Sequence, residues 1–412
     1  MGGLNDPETN LERGARGGAD DGVVTLALMV APGIAAAASF AMLPVILGAL
    51  ARGWSLSDPQ LGLLASVELG GLTLGTLLAV LLTRRWGARA VALAAMTFLV
   101  AANLASMLAP SVTGLMALRA IAGLATGGGL AVCYANLAGT ARAERNFAIF
   151  TLAQLLLGAL GLLSMPHLVG LFGWRAPYGL LAVVAGCGAT AVGLLRSARP
   201  EAPAERVATA ARSRLKIGPR AWSALAGVGF YFAGVGSVWA YAERIGGAAG
   251  IGAGDVAAIL AGSQVVAMVG ALCAGLLAGR APVLAGLILG SLLTAFGMGA
   301  LVVVREPIGF ALAVSAVNFG WNYVSAPQFA AIAKVDADGS VAGLMSTITG
   351  VGVAVGPALG AQLVLHGFAP LLMVAEVLIL ASLILIWPAS SARVAAARTP
   401  SLEPAVNLEV GA

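Results

Sequence analysis

Residues 60–89 read QLGLLASVELGGLTLGTLLAVLLTRRWGAR, a long apolar stretch with one internal charge that ends in a short basic loop. An α-helix rises 1.5 Å per residue, so about 20 residues cross the roughly 30 Å hydrocarbon core of a bilayer. Lipid offers the backbone no hydrogen-bond partner, which leaves helices and closed barrels as spanning structures. A barrel strand would be about half as long and would alternate polar and apolar side chains. The stretch is therefore predicted to be a transmembrane helix.

Eleven further stretches share this pattern, so the sequence predicts an all-α membrane protein with twelve transmembrane helices. The predicted spans are 23–51, 60–83, 90–109, 113–138, 147–171, 176–195, 221–242, 256–279, 283–304, 307–333, 341–366 and 369–388. Charged residues make up only 10% of the chain, against about 25% in soluble domains. The 56 glycines suit helices that approach closely through small side chains. This composition excludes a soluble domain.

The basic residues divide unequally between the two predicted sides of the membrane. With the N-terminus placed in the cytoplasm, 18 Lys and Arg residues fall on the inner side and 4 on the outer side, while Arg119 lies within a span. Lys and Arg concentrate in cytoplasmic loops, so both termini are expected in the cytoplasm and the protein in the cell inner membrane. The net charge of +5 forms no basic stripe interleaved with aromatic residues, so nucleic acid is not an expected partner.

The longest polar interval between spans divides the chain into two sets of six helices. The predicted segments are a cytoplasmic tail 1–22, a six-helix bundle 23–195, a basic cytoplasmic linker 196–220, a second six-helix bundle 221–388 and a cytoplasmic tail 389–412. Similar sequences surround Gly75 and Gly270, 195 residues apart, and the Ala-Pro pairs at 176–177 and 369–370 are 193 apart. The offsets indicate a duplication, with chance similarity between Gly/Ala/Leu-rich segments as the alternative. Two parallel halves suit rocking around a central site.

The loop after the second span resembles the signature loop of the major facilitator superfamily. The family pattern D-R-x-G-R-R stands here as R-R-W-G-A-R at 84–89. In the family, the charges of this loop hold neighbouring helices in one of two access states. Arg84 occupies the acidic position, which removes that charge pair. The resemblance implies a conformational role for four residues, namely Gly75, Arg85, Gly87 and Arg89.

Two other elements resemble the same family. RAIAGLATG at 119–127 is similar to the fourth-helix pattern R-x-x-x-G-x-x-x-G, and a glycine–proline element at 352–360 is similar to one found in the fifth helix of drug antiporters, although it falls here in the eleventh span. The resemblance implies two pseudo-symmetric six-helix bundles that alternate in access. It also implies that helices one, four, seven and ten surround the substrate cavity.

Three charged residues lie inside predicted spans: Glu68, Arg119 and Glu376. An ionisable group in hydrocarbon costs about 2.5–3.5 kcal/mol on insertion scales, which makes each a functional candidate. Desolvation favours a neutral carboxylic acid, so Glu68 suits proton coupling or gating, with a hydrogen-bonded structural pair as the alternative. Arg119 keeps its proton and is expected to hold an anion, pair with a carboxylate or snorkel to the interface. Glu376 is expected to serve helix packing, with substrate contact as the alternative.

Polar and aromatic residues in the cavity helices form the predicted substrate site. Amides orient a ligand while aromatic rings bury its apolar body; lipid-facing rings and interhelical hydrogen bonds are the alternatives. The predicted cavity residues are Tyr134, Asn136, Tyr231, Trp239, Asn318, Trp321, Asn322 and Gln328. Gln154 and Gln264 are secondary polar candidates that also suit bundle packing. Glu243 and Arg244 are expected to form a solvated pair.

No phosphate-binding G-x-x-x-x-G-K-[ST] motif occurs, so an ion gradient or the substrate's own gradient must drive the predicted transport. We expect a monomeric, proton-coupled secondary transporter for a small neutral or singly charged, amphipathic or aromatic molecule, working in efflux. The alternative is a facilitator or proton symporter that takes up a small organic acid. No enzymatic activity, catalytic residue, cofactor or metal is expected, because the two histidines are separated and no Asp lies within a span. The three cysteines read as packing residues.

Overall fold

The computed structural model describes residues 7–195, 217–336 and 340–391, and side chains within 22–195, 217–336, 341 and 344–391. The described part of the first half contains seven helices: α1 Pro7–Ala41, α2 Leu43–Trp54, α3 Asp58–Trp86, α4 Ala88–Ser106, α5 Val112–Ala138, α6 Ala143–Phe172 and α7 Ala176–Leu194. The described part of the second half contains six: α8 Pro219–Ala248, α9 Ala253–Leu277, α10 Val283–Val303, α11 Pro307–Val335, α12 Ser340–Leu363 and α13 Phe368–Ser390. Most of the predicted linker 196–220 and of the predicted tail 389–412 lies outside the described residues. Of the predicted tail 1–22, residues 1–6 lie outside them and residues 7–22 belong to α1.

The first predicted span, 23–51, consists of two helices rather than one. Met42 leaves helical geometry at φ −99° and ψ 4°, and Pro44 opens α2. Proline has no amide hydrogen and clashes with the preceding turn, so it fits the start of a helix better than its interior. The other eleven predicted spans correspond to one helix each, with ends that differ by a few residues.

Length and hydropathy alone identify ten stretches of the described chain that could cross a membrane. One of them, Ala143–Leu194, is 52 residues long and contains both α6 and α7. The helix α11 is absent from the ten because Asn318, Asn322 and Gln328 lower its hydropathy. The fold therefore has twelve membrane-spanning segments, of which the first is broken into α1 and α2.

The segments form two pseudo-symmetric six-helix bundles, α1–α7 and α8–α13. The same contact occurs in each: Gly75 of α3 packs on the backbone of Leu124 in α5, and Gly270 of α9 packs on the backbone of Phe319 in α11. Each member of one pair is 195 residues from its counterpart. A Cβ at either glycine would overlap the facing carbonyl oxygen. The predicted duplication is thus visible as shared backbone packing.

The bundles meet along three helix pairs: α3 with α12, α6 with α9, and α2 with α8. We call the end at which the chain leaves α7 and enters α8 the linker end, and the opposite end the far end. Small residues allow the close approach between bundles. A Cβ on Gly62 would overlap the hydroxyl of Tyr241 and the carbonyl oxygen of Pro357, and one on Gly158 would lie 3.1 Å from Nε2 of Gln264.

Candidate functional site

The two central charges predicted from the sequence lie together inside the N-terminal bundle. Nη1 of Arg119 is 3.6 Å from Oε1 of Glu68, and the two side chains are 1% and 10% exposed. Ser39 of α1 donates a 2.6 Å hydrogen bond to the same carboxylate oxygen. Gly123, one turn after Arg119, packs on the carbonyl oxygen of Glu68. The absence of a side chain there lets α5 approach α3 closely enough for the pair to form.

Arg119 has further partners on two other helices. Its Nη2 donates to Oδ1 of Asn103 at 3.0 Å and to Oγ of Ser106 at 2.8 Å, both on α4. Its guanidinium carbon lies 4.6 Å from the ring centroid of Tyr178 on α7, a cation–π geometry. We name the whole group the Arg119 cluster; it comprises Ser39, Glu68, Asn103, Ser106, Arg119 and Tyr178.

The position of Arg119 decides between two alternatives left open by the sequence, pairing with a carboxylate and snorkelling to the interface. Arg119 is fully buried and pairs with a carboxylate, so it does not snorkel to the interface. Nε and Nη1 of Arg119 and the hydroxyl of Tyr178 are buried and have no hydrogen-bond partner among the described residues. Four members, Ser39, Asn103, Ser106 and Tyr178, were missed by sequence reasoning. The spacing of Asn103 and Ser106, one turn apart in an apolar span, was an available signal.

Two ion pairs join the bundles at the far end. Arg52 of α2 pairs with Glu243 of α8, and Nε of Arg244 lies 2.7 Å from Oδ1 of Asp58 at the start of α3. The prediction of a solvated Glu243–Arg244 pair is wrong, because the Glu243 side chain is only 4% exposed and each residue pairs with the opposite bundle. Glu243 and Arg244, adjacent on α8, thus each face a residue of opposite charge on the N-terminal bundle.

Two neutral hydrogen bonds support the same closure. The hydroxyl of Tyr241 donates to the carbonyl oxygen of Asp58 at 2.8 Å, and Nε1 of Trp239 donates to that of Phe40 at 2.9 Å. These four contacts between the bundles, two ion pairs and two hydrogen bonds, all lie in the far half. The far end is therefore closed.

Aromatic rings from three helices meet near the middle of the bundle interface. The Trp321 ring of α11 lies 5.9 Å from Phe40, 6.5 Å from Phe232 and 6.4 Å from Trp239, in edge-to-face arrangements. These four residues are named the central aromatic cluster. Of the eight predicted cavity residues, only Trp239 and Trp321 belong to it.

Most other predicted cavity residues of the C-terminal bundle face their own bundle. The hydroxyl of Tyr231 pairs with Oγ1 of Thr294 at 2.8 Å, and Nδ2 of Asn318 donates to Oγ of Ser263 at 3.2 Å. Nδ2 of Asn322 donates to the carbonyl oxygen of Asn318. Gln328 is 1% exposed, and its Oε1 has no hydrogen-bond partner in the described chain.

The remaining polar candidates are distributed over both bundles. Tyr134 is 42% exposed and its ring contacts Phe147 and Phe150; Asn136 and Gln154 are half-buried. Gln264 is buried at the seam between α6 and α9, beside Gly158. Glu376 is half-buried on α13 and faces Gly299 of α10, a position between two helices of the same bundle.

The four loop residues have separate local roles. Gly75 packs on α5, and Gly87 joins α3 to α4 at φ +80°, a backbone region that favours glycine. Nη2 of Arg89 donates to the carbonyl oxygen of Gly193 on α7 at 2.8 Å. Arg85 is exposed at the linker end. No group of three or more metal-ligating side chains occurs within the described residues.

Comparisons with known proteins agree with this architecture. The family model of the Major Facilitator Superfamily matches residues 29–357. A D-xylose-proton symporter is similar in structure, with a TM-score of 0.71 and 15% identity over 89% of this chain and 97% of that one. The xylose transporter of E. coli in an inward-open conformation gives 0.68 and 14%, over 88% and 94%.

A mutant nucleoside transporter also resembles the chain, with a TM-score of 0.68 and 12% identity over 89% of this chain and 98% of that one. No protein of curated function matches at the sequence level. At 12–15% identity, the similarity to these solved structures shows only that the fold is shared. The family model, in contrast, matches most of the sequence and shows the family. The chain belongs to the major facilitator superfamily and is a multi-pass membrane transporter, not an enzyme.

Proposed function

We propose that this protein is a proton-coupled secondary transporter that exports a small neutral or singly charged, amphipathic or aromatic organic molecule. The observation that carries the proposal is the buried pair of Glu68 and Arg119 in a bundle of this family. A carboxylate inside a membrane bundle can take up and release a proton. An arginine beside it stays charged throughout the cycle.

The contacts of Ser39 and Phe40 supply a route from proton to substrate. Ser39 binds Glu68, while the next residue, Phe40, contacts Trp321 through its ring and Trp239 through its carbonyl oxygen. Protonation would neutralise Glu68 and remove its attraction to Arg119. The end of α1, where Ser39 and Phe40 lie, would then be free to shift at the bundle interface.

The central aromatic cluster is the part of the interface that we assign to the substrate. Its rings present apolar faces and edges, and the indole of Trp321 is half-buried. The charged residues nearest in sequence to Phe40, Phe232 and Trp239 belong to the far-end ion pairs. The one nearest to Trp321 is Lys334, which donates to the carbonyl oxygen of Ser390. This favours a flat, largely apolar substrate over a multiply charged one such as a phosphate ester.

We further propose that the far end faces the outside of the cell and that both termini lie in the cytoplasm of a monomer in the inner membrane. The excess of Lys and Arg at the linker end supports this orientation. The closed far end then corresponds to a state that receives substrate from the cytoplasm. Replacement of the far-end ion pairs by contacts at the linker end would complete the cycle of alternating access.

Flux across proteoliposomes with an imposed proton gradient tests the coupling. We would screen neutral and singly charged aromatic amphiphiles, then compare Glu68→Gln with Glu376→Gln, the other intramembrane carboxylate. We expect Glu68→Gln to lose accumulation against the substrate gradient while it retains substrate exchange, and Glu376→Gln to behave as wild type. Undiminished uphill transport by Glu68→Gln would contradict proton coupling at this residue.

Uptake is the second candidate, as a facilitator or as a proton symporter for a small organic acid. It is favoured by the structural similarity to a D-xylose-proton symporter. The direction is read from the same vesicles: an antiporter moves substrate against the proton flux, a symporter moves it with the flux, and a facilitator is indifferent to the gradient.

A further inference from the structure

An apolar groove of about 300 Å³ runs along the side of the N-terminal bundle between α3, α4 and α5. Its lining is almost entirely apolar and includes Leu78, Leu82, Trp86, Ala94, Phe98 and Ile121. Several of these side chains are well exposed; Phe98 and Trp86 are 61% and 60% exposed. The groove is separate from the Arg119 cluster and from the central aromatic cluster.

The duplicated half fills the corresponding space with its own side chains. Gly128 of the groove corresponds, 195 residues on, to Tyr323, and Leu124 corresponds to Phe319. The rings of Phe319 and Tyr323 stack with centroids 6.0 Å apart. The groove is thus a feature of the N-terminal bundle and not a consequence of the shared fold.

Basic side chains border the linker end of the groove. Arg84 and Arg85 are exposed at the end of α3, and among the described residues neither forms an ion pair. Arg85 follows Leu82 by three residues and Leu78 by seven, so it lies on the flank of the helix face that lines the groove. Arg142 and Arg145 are exposed at the start of α6, on the same end of the bundle.

We propose that this groove binds one acyl chain of an anionic phospholipid, whose phosphate is held by Arg85 with help from Arg84. Basic pockets between transmembrane helices on the cytoplasmic side bind anionic headgroups. An acyl chain that enters the groove leaves one apolar environment, the bilayer, for another. Its burial therefore fixes where the lipid sits but adds little binding free energy. Selectivity therefore comes from the headgroup charge, and the exposed Trp86 indole lies at the level where tryptophan prefers the interface.

Native mass spectrometry of the detergent-purified full chain tests the site by titration with phosphatidylglycerol and, separately, phosphatidylcholine. We expect one phosphatidylglycerol to bind more tightly than phosphatidylcholine. Arg85→Gln should weaken that binding about fivefold, the effect of one arginine near a membrane surface. Ala94→Trp should weaken it by filling the groove from an exposed position.

The second half supplies matched controls at the same repeat positions. Arg280 corresponds to Arg85 and is also exposed, and Leu289 corresponds to Ala94. Arg280→Gln and Leu289→Trp should bind phosphatidylglycerol as wild type does. Equal affinity for the two lipids, or equal loss in Arg85→Gln and Arg280→Gln, would overturn the proposal. The readout is lipid binding, so the result can be interpreted even if the proposed transport function fails. Arg85→Gln changes only an exposed side chain, so the test still holds if Ala94→Trp fails to fold.

Discussion

The two bundles share a backbone plan but differ in what they bury. Glu68 and Arg119 of the N-terminal bundle correspond, 195 residues on, to Ser263 and Val314. Asn103 and Ser106 correspond to Met298 and Leu301 in the same way, and Tyr178 corresponds to Leu371 at the offset of 193. The C-terminal bundle thus packs one neutral serine and four apolar side chains where the N-terminal bundle holds a buried ion pair and its partners.

This difference shows which features belong to the fold and which to its use. Glycine contacts such as Gly75 with Leu124 and Gly270 with Phe319 recur in both halves, because they set the distance between helices. Among the described residues, an ion pair buried within one bundle occurs in the N-terminal half, where α1 can carry a change at Glu68 to the bundle interface. The C-terminal bundle contributes most of the aromatic surface, with Phe232, Trp239 and Trp321.

The largest expected effect comes from breaking the buried pair on one side. Arg119→Leu leaves the carboxylate of Glu68 buried without its cation, which should destabilise the protein by about 3–5 kcal/mol. Leucine at both Glu68 and Arg119 should recover much of this loss, because the apolar Val314 occupies the equivalent place in the other half. Thermal unfolding in detergent measures both variants. A double variant as unstable as Arg119→Leu would contradict the account of the pair.

A smaller effect is expected from the aromatic surface that the C-terminal bundle contributes. Trp321→Ala removes the ring that contacts all three other members of the central aromatic cluster. Loss of a central aromatic contact costs about 2 kcal/mol of binding, or about 30-fold in affinity. Substrate titration by intrinsic fluorescence or calorimetry measures the loss. Tyr231→Phe is the control, because Tyr231 hydrogen-bonds within its own bundle, and its substrate affinity should stay near that of wild type.

The smallest effect is expected where the halves join at the far end. Arg52 and Arg244 are partly exposed, at 46% and 32%, so each ion pair should contribute about 1 kcal/mol or less after solvent screening. Arg52→Gln together with Arg244→Gln removes both pairs, about 2 kcal/mol or less, and should raise the population of the open far end by roughly 30-fold at most. Distances between spin labels at two exposed far-end positions, Leu108 and Glu306, report that population.

The charge swap of Arg52→Glu with Glu243→Arg serves as the control for the far end. The swap keeps opposite charges facing each other at positions 52 and 243 and leaves the Arg244–Asp58 pair intact, so the label distances should stay near those of the wild type. Unchanged distances in the double glutamine variant would show that the ion pairs do not hold the far end closed.

The sequence predicted the helices well because each span carries its own signal. The apolar stretches are local patterns, and Glu68 and Arg119 were identified as unusual charges in hydrocarbon. The 195-residue offset is found by comparing two such local segments. The break at Met42 was missed although Pro44 marked it, since the apolar run continues without interruption.

Contacts between distant helices could not be read from the sequence. Glu243 is 191 residues from Arg52, and only the packing of α2 against α8 brings them together. Tyr231 and Asn318 were assigned to the cavity by residue type and helix number. Both helices bury side chains around most of their circumference, so no apolar face indicated that these two residues point into their own bundle.

The most direct test is a measurement of proton exchange on substrate binding. An aromatic amphiphile identified by the flux assay is added to detergent-solubilised protein in weakly buffered solution, and the change in pH is recorded. We expect about one proton exchanged per wild-type or Glu376→Gln protein, and none for Glu68→Gln, which still binds the substrate. Proton exchange by Glu68→Gln equal to that of wild type would contradict the assignment of coupling to the N-terminal bundle.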